Sequence, residues 1–135
     1  MIKIVGAKLT DGRVIDLDID NQVIIKIEKS TNNLGKGAVD ASSKLLIPGL
    51  VDMHTHLREP GREDSETVLT GSRAAVAGGF TAVSTMANTN PVADNAGVVE
   101  QIYRLGKEAG LVDVNPIGAV TNGSVSYTHL RAHET

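Results

Sequence analysis

Between residues 45 and 121 apolar runs alternate with helical periodicity, and this constrains the fold of the 135-residue chain most. Leu45, Leu46 and Ile47, then Leu50 and Val51, are nearly continuous apolar runs, as in a strand buried on both faces. Residues 65–77 read as a helix, with Asp64 or Ser65 as N-cap and Gly78-Gly79 as stop. Residues 81–86 read as a second buried strand. Residues 95–109 give the clearest helix, with Val98, Ile102, Leu105 and Ala109 at helical spacing and Gly110 as its stop. Residues 112–120 read as a third strand despite Pro116. Strand, helix, strand, helix, strand argues an α/β fold with a parallel sheet and right-handed crossovers. A (β/α)8 barrel and an open doubly wound sheet both satisfy this order. Three strands cannot close a barrel, so the barrel reading requires further chain.

Residues 1–47 have a different rhythm. Ile15, Leu17 and Ile19 alternate with Asp16, Asp18 and Asp20, which places the aliphatics on one face and the carboxylates in water. Val23, Ile25 and Ile27 repeat the pattern against Lys26 and Glu28. Asp11-Gly12 and Asp20-Asn21 fall where tight hairpin turns want residues tolerant of positive φ. Residues 30–37 read as a loop. The block is expected to be a small antiparallel sheet with one wet face, structural rather than chemical.

Composition excludes several classes. There is no Cys, hence no disulfide and no thiolate metal site. The net charge of −3 gives no basic footprint for nucleic acid. No apolar run approaches the roughly 20 residues of a membrane span. Met1 to Val5 lacks the layout of a signal peptide, so a cytoplasmic protein is expected.

The chemistry lies in the string PGLVDMHTHLREPG, residues 48–61. On a regular strand Asp52, His54 and His56 share one face, and Val51, Met53 and Thr55 the other. Two imidazoles on one strand can converge on a divalent metal as neutral nitrogen ligands. Carboxyl ends of parallel strands are where barrel active sites sit. A polar strand edge is the plain alternative. Arg58 can clamp a carboxylate through two parallel hydrogen bonds, or pair on the surface with Glu59 or Glu63. Asn88 can donate to and accept from a bound amide or carboxylate, though Asn-Thr-Asn-Pro is also turn chemistry. Gly78-Gly79 lacks the Lys-Ser or Lys-Thr of a phosphate loop. Asp16, Asp18 and Asp20 lack the Gly and distal Glu of a calcium loop. Arg104, Lys107 and Glu108 form a solvated helix face.

PGLVDMHTHLREPG, followed by Glu66 and by GSRAAVAGGFTAVSTMANTNP, resembles the opening of dihydroorotases in the amidohydrolase superfamily. The resemblance runs from about residue 1 to 123 and covers about the first third of a family member. Arg58 separates this pattern from allantoinases, which usually carry Asn there, and hydantoinases usually lack the REPG run. ANTNP is similar to the family's PNTxP, with Ala87 in place of the usual Pro.

The resemblance implies the first three β/α units of a (β/α)8 metal-dependent hydrolase barrel over residues 48–123. Residues 1–47 would be part of a β-sandwich domain. It implies a zinc cofactor with His54 and His56 as two ligands, and Arg58 and Asn88 as contacts to the substrate carboxylate. Asp52 is given a supporting role behind the ligands. The substrates would be dihydroorotate and N-carbamoyl-L-aspartate, interconverted in pyrimidine synthesis, with no nucleic-acid or membrane partner. A homo-oligomer of the full-length enzyme is compatible with this. The catalytic acid–base group and the other ligands are expected on later strands. An allantoinase- or hydantoinase-type enzyme, a non-catalytic dihydroorotase-like subunit and a purely structural fragment are the alternatives.

Residues 124–135, SVSYTHLRAHET, fit neither rhythm and are expected to be a foreign tail. His129 and His133 are not placed where the family has ligands. The chain alone is expected to be inactive and poorly soluble, with or without this tail.

Overall fold

A computed structural model describes residues 1–121, so the expectations for the tail lie outside the described residues. The chain divides into two compact units, Met1–Pro48 and one beginning at Gly49.

The first unit is a four-stranded sheet of β1 (Ile2–Lys8), β2 (Val14–Asp20), β3 (Val23–Lys29) and β4 (Val39–Asp40), in the order β3-β2-β1-β4. The three long strands form the expected antiparallel meander. Asn21 and Gln22 both have positive φ, 46° and 66°, as a two-residue hairpin turn of matching twist requires. β4 pairs parallel to β1, so the sheet is mixed rather than antiparallel throughout. Its core is Ala7, Ile15, Leu17 and Ala41, with Ile4, Leu9 and Leu46 packed against them.

Two expectations for this unit are corrected. Asp16 does not face water but is 2% exposed. Its carboxylate accepts the backbone N–H groups of Gly6 (3.0 Å) and Thr31 (3.3 Å) across the sheet end. A hydrogen bond from the Ser30 hydroxyl, reinforced by these two, holds the Asp16 carboxyl below the usual carboxylate pKa against the opposing effect of burial. The aliphatics of β3 are not covered: Val23, Ile25 and Ile27 are exposed, as befits an edge strand.

The second unit is a parallel sheet of β5 (Leu50–Thr55), β6 (Phe80–Thr85) and β7 (Asp113–Pro116), in sequential order. Helix α1 (Val68–Ala77) joins β5 to β6, and α2 (Ala96–Ala109) joins β6 to β7. Val68, Val83, Val98, Ile102, Val112 and Val114 form the core with Leu57 and Ala93. Fully burying a side chain such as Ile102 stabilises the unit by about 1.5–3 kcal/mol. Helix α2 ends as expected, with Gly110 closing it in the left-handed conformation, and Asn95 stands just before it as N-cap, its side chain accepting the Val98 N–H. Gly106 lies so close to β7 that an added Cβ would sit 2.5 Å from the Val114 Cβ. Lys107, in the last turn of α2, reaches Asp113 at 3.2 Å.

The boundaries of three elements differ from expectation. Leu45 and Leu46 belong to the first unit, where Leu46 N–H donates to Lys8 O at 2.8 Å, and the strand starts only at Leu50. Leu50, Val51 and Met53 are exposed, because β5 is an edge strand among the described residues. Helix α1 starts at Val68, with Thr67 as N-cap in a reciprocal bond with Thr70; Asp64 and Ser65 lie in the preceding turn. The third strand ends at Pro116, not at residue 120, although Ile117 N–H still donates to Thr85 O at 2.9 Å.

Candidate metal and carboxylate site

β5 is not a regular strand. Asp52 pairs with Val83 and Thr55 with Thr85, so three steps on β5 oppose two on β6. This is a bulge of one extra residue, which bends a strand and re-aims its side chains. The Asp52 carboxylate accepts the His54 backbone N–H at 2.9 Å and takes up a donor the bulge withdraws from the ladder. The Thr55 hydroxyl donates to Ser84 O at 2.9 Å and ties the far side of the bulge to β6. The strict alternation read from sequence for residues 51–56 therefore breaks at Met53-His54. Asp52 thus touches His54 through the backbone N–H.

Beyond the bulge the chain places His54 at the end of β5 and His56 just past it. Their rings meet edge to face, with centroids 5.2 Å apart and planes at 67°. His56 Nδ1 lies 2.7 Å from Asn88 Oδ1, which comes from the segment after β6. Both side chains are half-buried. A carboxamide oxygen only accepts, so the contact is a hydrogen bond when Nδ1 carries the proton, and Nε2 is then the free nitrogen.

A metal fits this arrangement in part. A zinc–nitrogen bond of about 2.1 Å puts an imidazole centroid about 3.2 Å from the ion, and a tetrahedral angle then separates two centroids by about 5.2 Å. The observed spacing matches. Among the described residues no group of three or more His, Asp or Glu side chains could hold a metal. The spacing of the pair is compatible with two ligands of a larger set.

Arg58 has a left-handed backbone, φ 62°. For a residue with a Cβ this costs about 1 kcal/mol or more and occurs where surroundings impose it. Its side chain has no hydrogen-bond or ion-pair partner among the described residues. The two carboxylates that could have paired with it are engaged locally. Glu59 accepts the Val68 N–H at 2.7 Å and so caps α1, while Glu63 accepts the Gly61 N–H at 2.8 Å. The surface pairing with Glu59 or Glu63 weighed from sequence is thus absent. The structure brings His54, His56 and Asn88 together; Arg58 stands two residues beyond His56, with no hydrogen bond to them.

Sequence reasoning missed two things here: the Asn88–His56 bond and the Glu59 cap. The first had a signal, since both residues follow the carboxyl ends of neighbouring parallel strands. A cleft of about 250 Å³ opens beside His56, lined by Asp52, Thr55, Leu57 and Glu66 and by residues of α1 and β6.

Comparison with known proteins places the chain in a family. The model of the dihydro-orotase-like family matches residues 43–128. The dihydroorotase of Streptomyces coelicolor is 60% identical over 118 residues, which are 87% of this chain and 28% of that protein. That of Leifsonia xyli is 58% identical over 120 residues, 89% of this chain and 27% of that protein. Among solved structures, the L-hydantoinase (dihydropyrimidinase) of Arthrobacter aurescens superposes with a TM-score of 0.70 at 23% identity, covering 87% of this chain and 27% of that one. That likeness is one of fold. The chain spans little more than a quarter of the length of the relatives it matches.

Proposed function

The chain belongs to the dihydroorotase-like family, and from that premise we propose that it is part of a zinc-dependent cyclic amide hydrolase. The enzyme interconverts L-dihydroorotate and N-carbamoyl-L-aspartate in the cytoplasmic synthesis of pyrimidines. Residues 48–123 supply the first three β/α units of its (β/α)8 barrel, and residues 1–47 supply part of a β-sandwich. The convergence of two imidazoles and a carboxamide past the carboxyl ends of β5 and β6 carries this reading.

His54 and His56 hold the zinc through imidazole nitrogen. When bound, the ion supplies a Lewis acid and lowers the pKa of water toward neutrality. Arg58 binds the substrate's carboxylate with its two-pronged guanidinium. Because that carboxylate lies away from the amide bond, its binding energy goes into orienting the ring. Asn88 uses its carboxamide N–H groups on the same carboxylate, while its oxygen stays on His56. Asp52 holds the bulge that aims the histidines. The acid that protonates the leaving nitrogen comes from later chain.

The test is a full-length protein carrying this segment, assayed for zinc and for hydrolysis of L-dihydroorotate. Zinc with turnover supports the reading. Zinc without turnover identifies an idle subunit, and absence of both contradicts the metal assignment.

A further inference from the structure

We infer that Asn88 is a positioning residue for His56: its carboxamide oxygen fixes the Nδ1–H tautomer and so presents Nε2 as the metal-binding nitrogen. The inference rests on the reading of His56 as a ligand. It adds a role for Asn88 that does not involve substrate.

Three observations carry it. The His56 Nδ1 to Asn88 Oδ1 distance is 2.7 Å, short for a nitrogen–oxygen hydrogen bond. Asn88 is held from both sides. Before it, Met86 N–H donates to Thr55 O at 2.8 Å; after it, Asn90 N–H donates to Pro60 O at 2.9 Å and the Thr89 hydroxyl to Pro91 O at 2.8 Å. The segment that presents the carboxamide is therefore tied both to β5 and to the loop beyond the histidines. The two histidines are also anchored by different means. His54 is fixed through its backbone N–H by Asp52, and His56 through its ring by Asn88. An imidazole that can bind through either nitrogen loses affinity when the wrong one is protonated, so a partner on the far nitrogen raises the share of competent rings.

The experiment uses a full-length protein carrying this segment, metal-free, at a pH where its imidazoles are neutral. Long-range proton–nitrogen correlation spectra read the tautomer of His56, identified by its loss in His56→Asn. Unmodified protein should show Nδ1–H and bare Nε2. Asn88→Asp, which keeps an acceptor, should retain that tautomer; Asn88→Leu should release it, with the backbone spectrum showing that both remain folded. Zinc affinity by chelator competition should fall about 10- to 100-fold in Asn88→Leu and be recovered in Asn88→Asp. A His56 that is Nε2–H in the unmodified chain overturns the inference without recourse to any variant. So does a tautomer indifferent to Asn88→Leu. If the tautomer follows Asn88 but zinc leaves the His56 signals unmoved, the hydrogen bond stands and the presentation of Nε2 to a metal is refuted along with the ligand assignment.

Discussion

Replacing Arg58 by Met separates a substrate clamp from a surface charge. The guanidinium has no ion-pair or hydrogen-bond partner among the described residues, and the nearby carboxylates of Glu59 and Glu63 are occupied by backbone N–H groups. Removing the charge strands no partner. Met suffers the same left-handed φ as Arg, so backbone strain is unchanged. Stability should shift by no more than about 0.5 kcal/mol. Loss of a charge-assisted two-point contact to a carboxylate should instead cost about 2–4 kcal/mol. At about 1.4 kcal/mol per decade, that is about a 30- to 700-fold fall in kcat/KM. Most of it should appear in KM, because the carboxylate is remote from the reacting amide. Arg58→Lys, which keeps charge but not the fork, should fall between the two. The assay is steady-state hydrolysis of L-dihydroorotate by a full-length protein carrying this segment, with thermal melts and zinc content in parallel. Unchanged kcat/KM would refute the clamp; an equal loss of zinc would mean that Arg58 supports the metal instead.

Asp16→Ala should destabilise the first unit by about 1–3 kcal/mol in urea melts, because the Gly6 and Thr31 N–H groups lose their buried acceptor. Asp16 has a depressed folded-state pKa, so its stabilising effect is full above the unfolded carboxylate value of about 3.9 and is lost as pH falls through the folded value. Asp16→Asn should blunt that acid-side loss, and identical acid titrations for the two proteins would contradict the assignment. Gly106→Val should cost about 1–3 kcal/mol or more by forcing α2 off β7, whereas an unaltered melt would mean that the helix can shift freely. Asp52→Ala should lower zinc affinity with both histidines still present, because the His54 N–H loses its acceptor in the bulge.

Much of the second unit was legible in the sequence because its signals are local. Asn95 and Gly110 bracket α2 by capping chemistry that acts within one turn, and Val98 and Ile102 mark its buried face at helical spacing. Where a partner distant in sequence decides, the reading failed. The cap of α1 was expected at Asp64 or Ser65, but it is Thr67, and Glu59, nine residues before Val68, helps to fix that start by binding the Val68 N–H. Period-two alternation put Asp16 in water, but it cannot foresee that Gly6 and the loop at Thr31 would converge on that carboxylate. The HxH spacing singled out the two histidines whose rings meet edge to face. The bulge that aims them depends on how β5 registers against β6, and no pattern within residues 50–56 encodes that.

The role of His54 and His56 as ligands of a catalytic zinc is decided by zinc content measured on a purified full-length protein carrying this segment, alongside its His54→Ala and His56→Ala variants. The unmodified protein should hold stoichiometric zinc, with sharp loss in each variant and turnover of L-dihydroorotate falling in step. A double variant that keeps normal zinc and normal turnover would contradict that role.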